Sequence, residues 1–510
     1  MSETSVPAPH APDKHAPDMR TPEPTARRKN LILAICCMSL LIVGMDGTIV
    51  NVALPSIRTD LGASVSGLQW VVDAYTLTLA SLLILSGSTA DRVGRRRTFQ
   101  IGLASFTVGS VLCSVAPNLT LLVAARVVQA VGGSMLNPVA MSIITNTFTE
   151  RRERARAIGI WGGVVGISLG LGPVIGGVLI QTVGWRWIFW INVPIGVLAI
   201  VLAARFVPES RAPRARRFDP VGQLLVILTL SALTYAIVES SRLHWHSPVL
   251  WSILAVAVLA GAALVLYEQR RTDPLINPGF FASAPFSGAT VIAVCAFGGY
   301  AGFLFLNTLY LQEVRGFSAL QAGLTILPMA AVTMVCAPLS GRLVGAGRAR
   351  LALVVAGCAM AVAAAALTVM SQSTPIGYLI GCYVLFAIGF GTVNAPITNT
   401  AVSGMPISQA GVAAAIASTS RQVGATLGVA VIGAVLAAGV ATGRGASTDA
   451  SAETAGLLDH ASTAWWIVCG CALVVLVLGI ATTGPWARAT VANVSALMRA
   501  DPSPTPAPAR

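Results

Sequence analysis

Long apolar segments alternate with short polar connections along almost the whole chain. The first, residues 31–57, is longer than the roughly 20 residues that an α-helix needs to cross a bilayer. The pattern predicts an all-α membrane protein with 14 transmembrane helices, an even number that leaves both termini on one side. The remaining segments lie at about 67–90, 98–116, 119–145, 157–181, 185–206, 221–240, 249–267, 286–311, 320–341, 351–371, 375–400, 410–440 and 462–483.

The basic residues between these segments predict which side each connection occupies. Of the 33 Lys and Arg residues, 26 lie in the tails and in one alternating set of connections, whereas five lie in the other set. Cytoplasmic connections carry the excess of basic residues, so both termini are predicted to be cytoplasmic. The abundance of arginine and alanine indicates a bacterial gene, and therefore the cytoplasmic membrane of a bacterium.

Three long stretches outside the predicted spans differ from them in composition and predict irregular structure. Residues 1–30 and 484–510 are rich in proline, alanine and charge, and they predict disordered cytoplasmic tails. No small-residue cleavage site follows the first apolar segment, so we expect that segment to be retained. The longest outer connection, about 441–461, is rich in Ser, Thr, Ala and Gly and predicts a flexible loop.

The composition argues against a soluble protein, a nucleic-acid-binding protein and an enzyme. The chain is 55% hydrophobic and 10% charged, whereas soluble domains have about 25% charged residues. Its net charge of +13 is spread over short connections and forms no basic face. All nine cysteines lie in apolar segments without metal-ligand spacing, and no GxxxxGK(S/T), GxSxG or HExxH motif occurs. We therefore expect no metal, no ATP site and no catalytic residue.

A weak internal repeat predicts two related halves. The segment 87–97, rich in glycine and arginine, follows the second span, and a similar segment, 339–350, follows the tenth. The two match in position only if two extra helices separate two six-helix bundles. We therefore predict an N-terminal bundle at 31–206, two accessory helices within 207–285 and a C-terminal bundle at 286–483. Paired bundles around a midplane site are typical of secondary transporters.

Four charged side chains lie well inside the predicted spans: Asp46, Asp73, Arg126 and Arg421. An ionised group at mid-helix raises the free energy of insertion by about 3 kcal/mol, so such residues usually face a pathway or a relay. Asp46 and Arg126 would form a proton-coupling pair if their spans face the same cavity, and a structural acid held by an arginine is the alternative. For Asp73, near the outer end of its span, a proton or substrate site and a partly hydrated structural acid stay equally open.

Small and polar residues accompany these charges. Arg126 and Gln129 are three residues apart and share a helix face, with Gly133 about one turn further. Arg421 has no obvious acidic partner, and we predict a structural role for it. The fifth span has a glycine stripe with a central proline, which favours a hinge or seal between bundles over a static packing seam: Gly162, Gly166, Gly170, Gly172, Pro173, Gly176 and Gly177.

Four segments resemble the motifs of one transporter family. GSTADRVGRRR (87–97) resembles motif A of the major facilitator superfamily, and RVVQAVGG (126–133) resembles motif B, with Ala130 in place of the usual glycine. GISLGLGPVIGG (166–177) is similar to motif C, the antiporter signature. MDGTIVNVALP (45–55) resembles the motif of the fourteen-span drug:proton antiporters, the QacA and EmrB group. The motifs occur in the expected order on the expected helices, so the chain is identified as a member of that group.

The resemblance implies proton-coupled export by alternating access, with Asp46 and Arg126 in the coupling site. It also implies a cytoplasmic gate in which Asp91 faces the start of a helix near Ser408. In the second copy of motif A, Gly341 stands where an acid would, and the extra acids of some multidrug members are absent. The motif residues that the resemblance assigns are Gly87, Asp91, Arg92, Gly94 and Arg95 (motif A), Arg126, Gln129 and Gly133 (motif B), and Gly166, Gly170, Gly172, Pro173, Gly176 and Gly177 (motif C).

These patterns predict a monomeric antiporter that uses the proton-motive force to export an amphipathic drug or antibiotic. A dedicated exporter of one endogenous metabolite or self-made antibiotic is the alternative. A non-transporting membrane sensor is a remote alternative, because the chain has no large soluble domain. Aromatic and amide side chains within the spans are weak candidates for the substrate pocket: Trp70, Asn137, Phe303, Asn307 and Asn394.

Overall fold

The computed structural model consists of α-helices with short connections. It describes residues 25–211, 219–243, 247–271, 278–403, 405, 410–446, 450–487 and 489–491. A π-helical turn, Tyr310–Val314, extends the tenth helix. The helices are α1 (Ala26–Leu61), α2 (Val65–Val93), α3 (Arg95–Ser114), α4 (Leu119–Thr147), α5 (Arg151–Thr182), α6 (Trp187–Trp190), α7 (Asn192–Phe206), α8 (Pro220–Leu243), α9 (Pro248–Gln269), α10 (Ala284–Leu309), α11 (Ala319–Gly345), α12 (Ala349–Leu367), α13 (Ile376–Ser403), α14 (Ala410–Ala446) and α15 (Ala450–Ala481).

Within the described part of the chain, 12 helices are long and apolar enough to cross a membrane. The helices α6 and α7 form one of these candidates, Trp187–Phe206. Two predicted spans, in α3 and α5, are not among these 12 candidates, because the helices are not long and apolar enough in the described residues. The helix α3 begins with three arginines, and the apolar part of α5 among the described residues is only Gly170–Thr182. The predicted count of 14 transmembrane helices is therefore not confirmed.

The outermost helices extend beyond the predicted apolar segments. The helix α1 begins at Ala26, within the predicted tail, where the hydroxyl of Thr25 accepts a hydrogen bond from the backbone N–H of Arg28. The helix α14 continues to Ala446 and α15 begins at Ala450, so the flexible loop predicted at 441–461 is wrong for the described residues. Alanine favours helix even outside an apolar segment, which explains the extension. Most of both predicted tails, 1–24 and 492–510, lies outside the described residues.

The same pattern of helix packing occurs twice along the chain. In the first half α1 packs along α5, α2 along α4, and α3 along both α4 and α7. In the second half α10 packs along α14, α11 along α13, and α12 along both α13 and α15. The helices α8 and α9 pack on each other, and α8 also contacts α2 and α14, one helix from each half. The domain limits 31–206, 207–285 and 286–483 stay predictions.

The two halves meet at the end of the helices where α1 ends and α2 begins. Arg58 Nη1 lies 2.7 Å from Glu313 Oε2, and Gln312 Nε2 donates to the carbonyl of Val52 at 2.9 Å. Further in, α2 also hydrogen-bonds to α14, as far as Thr76. Between described residues, every hydrogen bond that joins the two halves lies between this end and Thr76. The structure is therefore closed at this end.

Candidate functional site

Asp46 lies in α1, where its carboxylate is buried against α4 and α7. Arg126 Nη1 donates to Asp46 Oδ2 at 2.5 Å, and Gln129 Nε2 donates to Oδ1 at 2.8 Å. Asn192 Nδ2, on the first residue of α7, donates to the same Oδ1 at 3.2 Å. The exposed fractions of Asp46 and Arg126 are 0% and 1%. A carboxylate with three N–H donors, one of them from an arginine, is satisfied as an anion, so the pair can remain ionised without water.

The other contacts of Arg126 extend this network to α2 and α3. Arg126 Nη1 also donates to Gln129 Oε1 at 2.7 Å, and Nε donates to the carbonyl of Val71 at 3.1 Å. The guanidinium carbon lies 4.1 Å from the centroid of the Tyr75 ring, which gives a cation–π contact. Gln129 Nε2 donates to Ser110 Oγ on α3 at 2.9 Å. Five helices of the first half therefore converge on one buried ion pair.

Part of this site follows from the sequence pattern. Arg126 and Gln129 both reach the acid because they lie three residues apart on α4, as predicted. Gly133 lies on the same helix, where an added Cβ would be 3.3 Å from the Tyr75 hydroxyl. Sequence reasoning missed Tyr75 and Asn192. For Asn192 the available signal was an amide at the break between α6 and α7, within an otherwise apolar segment.

Asp73 lies in α2 and is fully buried, but its carboxylate has no partner. Neither oxygen has a hydrogen-bond partner among the residues that the structure describes, and the exposed fraction of Asp73 is 0%. Residues one turn away on the same face of α2 bond to α14. Gln69 Nε2 donates to the carbonyl of Ala430 at 2.9 Å, and Thr426 Oγ1 donates to Thr76 Oγ1 at 2.9 Å. Asp73 therefore lies on the face of α2 that meets the second half, and the partly hydrated acid is wrong for this conformation.

The motif A residues lie at the opposite end of α2, away from the closed end. Asp91 Oδ1 forms an ion pair with Arg95 Nη2 at 3.1 Å, within the same half. Gly87 faces α4, and Arg92 is exposed in the last turn of α2. Ser408, which was predicted to face Asp91, lies outside the described residues. The predicted gate contact between the halves therefore stays a prediction.

Gly94 joins α2 to α3 in a conformation that requires glycine. Its φ is +121°, and an added Cβ would lie 2.6 Å from Glu209 Oε1. The same oxygen accepts a hydrogen bond from the backbone N–H of Arg96 at 3.1 Å, and Arg95 N donates to the carbonyl of Ser210 at 2.9 Å. The connection after α7 thus caps the start of α3. Sequence reasoning missed Glu209, for which an acid within a basic connection was the available signal.

Replacement of Gly94 by alanine is expected to lower the free energy of unfolding by about 1–3 kcal/mol, because alanine is strained at this φ and displaces the Glu209 carboxylate. Thermal unfolding of the purified protein in detergent measures the effect. Gly381→Ala on α13 is the matched control, since nothing lies within 4 Å of its added Cβ. Equal unfolding temperatures for Gly94→Ala and the control would contradict the prediction.

The motif C glycines of α5 bring its backbone close to α1. An added Cβ at Gly172 would overlap the side chain of Thr48, and one at Gly176 would lie 2.7 Å from Ile49 Cγ1. Gly166 lies within α5, but its surroundings are outside the described residues. Small residues here permit the two helices to touch along their backbones, as the sequence predicts.

The same helix also crosses α11, in the second half. An added Cβ at Gly177 would lie 2.6 Å from Leu320 Cα, and one at Gly170 would lie 2.9 Å from the side chain of Ala330. Pro173 lies within α5 without ending it, and its carbonyl group faces Gly323 of α11. This contact between α5 and α11, called the seam below, joins the halves at the closed end by direct backbone contact.

Two of the five pocket candidates lie in the packed interior of the second half. Phe303 and Asn307 both have an exposed fraction of 0%. The Tyr383 hydroxyl donates to Asn307 Oδ1 at 2.5 Å, and the Phe303 ring packs on Tyr383 and Phe386 with centroids 5.1 and 4.7 Å apart. Neighbouring helices enclose both side chains, so they do not line an open pocket in this conformation.

The other three candidates have different surroundings. Trp70 Nε1 donates to Glu239 Oε1 on α8 at 3.1 Å, so this indole joins α2 to an accessory helix. Asn137 is half-buried on α4, and its amide oxygen has no hydrogen-bond partner within the described ranges. Asn394 is exposed on α13 and accepts a hydrogen bond from Arg421. Of these three, Asn394 has an exposed side chain in this conformation, whereas the amide oxygen of Asn137 is buried.

The fold and the site together define a class of protein. A helical membrane protein with two repeated halves, a buried ion pair in one half and contacts between the halves at one end has the organisation of a secondary transporter. The chain belongs to the Major Facilitator Superfamily, whose family model matches residues 36–429. Proteins of this superfamily are transporters of small molecules and are generally not enzymes.

Similar proteins agree with this assignment. Multidrug resistance protein Stp of Mycobacterium tuberculosis (strain CDC 1551 / Oshkosh) is 36% identical over 412 residues, 81% of this chain and 76% of that protein. The Tetracenomycin C resistance and export protein of Streptomyces glaucescens is 36% identical over 410 residues, 80% of this chain and 76% of that protein. The crystal structure of a bacterial homologue of the human lysosomal transporter Spinster, inward-facing and unoccupied, shares the fold. Its TM-score is 0.64 at 18% identity, over 94% of this chain and 100% of that chain.

Proposed function

We propose that this protein is a proton-coupled antiporter that exports amphipathic drugs or antibiotics by alternating access. The buried Asp46–Arg126 ion pair carries the proposal. The attraction between the two groups exists only while Asp46 is ionised, and it is strong because no water screens it. Uptake of a proton by Asp46 would remove that attraction and leave Arg126 and Gln129 to find other partners. Protonation would thereby change which arrangement of the five surrounding helices is stable.

Asp73 is the second candidate carrier of a proton. A carboxylate without a partner is costly to bury, whereas a protonated carboxyl group is far less so. The residue lies on the face of α2 that meets α14, and these two helices must separate when the closed end opens. Water would then reach Asp73 in one conformation and not in the other. That alternation is what proton coupling requires.

The orientation and the number of spans are part of the proposal. The distribution of basic residues puts both termini in the cytoplasm of a bacterial cell, so the closed end would face outward. We further infer that α3 and α5 cross the membrane, which gives fourteen spans. The helix α3 packs along α4 and α7, and α5 packs along α1 and α11, all of them full-length candidates. One chain contains the whole network around Asp46, which favours a monomer driven by the proton-motive force without ATP.

Ethidium uptake into everted membrane vesicles tests the proposal. With an acidic lumen we expect ethidium to accumulate in vesicles that contain the protein, and a protonophore to abolish the accumulation, because the gradient supplies the driving energy. Vesicles without the protein are the control for passive binding of the dye. Accumulation that persists in the presence of the protonophore would contradict proton coupling.

A dedicated exporter of one antibiotic is the second candidate. The observation in its favour is the relative from Streptomyces glaucescens, which is named for resistance to a single compound, tetracenomycin C. Growth inhibition by a panel of unrelated antibiotics, with and without expression of the protein, separates the two candidates. Protection against a single chemical class would favour the dedicated exporter, and protection against several classes would favour the multidrug antiporter.

A further inference from the structure

Arg421 of α14 is a second arginine within the helical bundle, and no acid among the described residues pairs with it. Its Nη1 donates to Asn394 Oδ1 and its Nη2 to Thr398 Oγ1, both at 3.1 Å. Both acceptors are neutral, and no ion pair of Arg421 occurs in the described part of the chain. The sequence predicted a structural role. An intramembrane arginine with that role normally pairs with an acid, as Arg126 does with Asp46.

The depth of Arg421 makes the missing partner significant. The residue lies eleven positions after the start of α14, which corresponds to about 16 Å along the helix axis. Asn394 lies nine positions before the end of α13, about 14 Å from it. Both distances are close to half of the roughly 30 Å hydrocarbon thickness of a bilayer. At this depth an arginine requires an anion or water.

The exposed side of this group requires polar surroundings. Asn394 is exposed, and an exposed amide bound to a guanidinium is unfavourable against hydrocarbon. The innermost hydrogen bond between the halves joins Thr76 to Thr426. Arg421 lies five positions before Thr426 in α14, about 7 Å further from the closed end than this contact.

Aromatic side chains of α10 and α13 form a wall beside the guanidinium. The centroid of the Phe297 ring is 5.9 Å from Arg421 Cζ, and the Phe390 ring packs against Phe297 at 5.2 Å. Tyr300 stacks on Phe390 with centroids 4.0 Å apart and planes at 6°. Phe297 and Tyr300 are half-buried, so part of each ring remains accessible. A flat ring system could stack on this wall with a substituent directed at Arg421.

We propose that Arg421, with Asn394 and Thr398, binds the anionic group of an aromatic substrate whose rings pack on Phe297 and Tyr300. The inference rests on the proposed export function and adds one class to its amphipathic substrates: planar aromatic molecules that carry a carboxylate or phenolate. Arginine has five N–H donors in a planar fork that matches a carboxylate, and two of its nitrogens donate here to neutral oxygens only. An arriving carboxylate would supply the charge that Arg421 lacks.

Fluorescein and rhodamine 123 test this inference, because they share a xanthene ring system but carry opposite charge. Binding to the full-length protein in lipid nanodiscs is measured by fluorescence anisotropy. We expect Arg421→Gln to weaken fluorescein binding about tenfold or more and to change rhodamine 123 binding by less than about twofold. Arg421→Lys keeps the charge but loses the fork, so its loss of fluorescein affinity should be intermediate. Arg350→Gln, which removes an exposed arginine of the same half, is the control for net charge.

The two dyes also distinguish the possible failures. Equal weakening of both dyes by Arg421→Gln would indicate a structural role and overturn the inference. Fluorescein binding that Arg421→Gln leaves unchanged, or that wild type lacks, would overturn it as well. Gradient-driven ethidium transport without fluorescein binding would overturn only the anionic subsite. Fluorescein binding that depends on Arg421 in a protein without gradient-driven transport would support the subsite and overturn the proton-coupled function.

Discussion

Asp46→Asn is expected to abolish proton-driven export while the protein still reaches the membrane. Asparagine keeps the size of the side chain and one acceptor oxygen, so Arg126 and Asn192 can retain part of their geometry. It cannot ionise or take up a proton, and the coupling step is thereby lost. Ethidium accumulation in everted vesicles under an acidic-lumen gradient should fall to the level of vesicles without the protein, at equal amounts of protein in the membrane.

The same substitution is expected to destabilise the protein, and this effect must be separated from coupling. Asp46→Asn leaves Arg126 buried at 1% exposure without a counter-charge, which should lower the free energy of unfolding by about 3–5 kcal/mol. The double variant Asp46→Asn/Arg126→Gln removes both charges. We expect it to regain most of the thermal stability but none of the transport. Recovery of transport in the double variant would show that the acid has only a structural role.

The same substitution at Asp73, the buried acid on α2, completes this test. Asp73→Asn removes a buried carboxylate that has no partner in the described structure, so we expect little loss of stability. Unfolding temperatures can be followed with a thiol-reactive dye, because the buried cysteines become accessible on unfolding: Cys36, Cys113, Cys382 and Cys469. Gradient-driven transport that survives Asp46→Asn but not Asp73→Asn would assign proton coupling to Asp73.

The sequence predicted the ion pair because charged residues are rare inside membrane spans. Only a few acids and arginines were available as partners, so Asp46 and Arg126 could be selected as a pair on the condition that their helices face each other. The structure meets that condition. Ser110, Tyr75 and Asn192 could not be found in the same way. Neutral polar residues are frequent in spans, and only the three-dimensional packing shows which of them face the ion pair.

The substrate-contacting side chains were harder to predict than the ion pair. Asn307 and Asn394 are both amides within apolar segments, and their surroundings in sequence are alike. In the structure Asn307 is enclosed by its own half, whereas Asn394 is exposed on α13. That difference depends on the conformation of the whole transporter, which local hydrophobic periodicity does not encode. The end of α14 and the start of α15 are a different case, because Ser, Thr and Gly in this segment indicated a loop whereas its alanines favour helix.

Gly323→Val is expected to stop transport by disfavouring the closed arrangement. Gly323 lies in α11, and an added Cβ would lie under 3.0 Å from the backbone carbonyl group of Pro173 in α5. Backbone atoms cannot move aside as a flexible side chain can, so the two helices would have to separate. Overpacking of this kind costs about 1–3 kcal/mol, and it applies only to the conformation in which the two halves touch. Since about 1.4 kcal/mol changes an equilibrium constant tenfold, the closed population should fall by about tenfold or more.

Labelling of a cysteine at the closed end measures this shift directly. Gln312 joins the two halves through the carbonyl of Val52, so Gln312→Cys should react slowly with a membrane-impermeant maleimide in intact cells. We expect Gly323→Val to accelerate that reaction and to abolish ethidium transport together. Gly470→Val on α15 is the matched control, since it adds the same side chain where nothing lies within 4 Å of the new Cβ. Unchanged labelling with lost transport would place the defect outside the seam, and normal transport would show that α5 and α11 need not touch during the cycle.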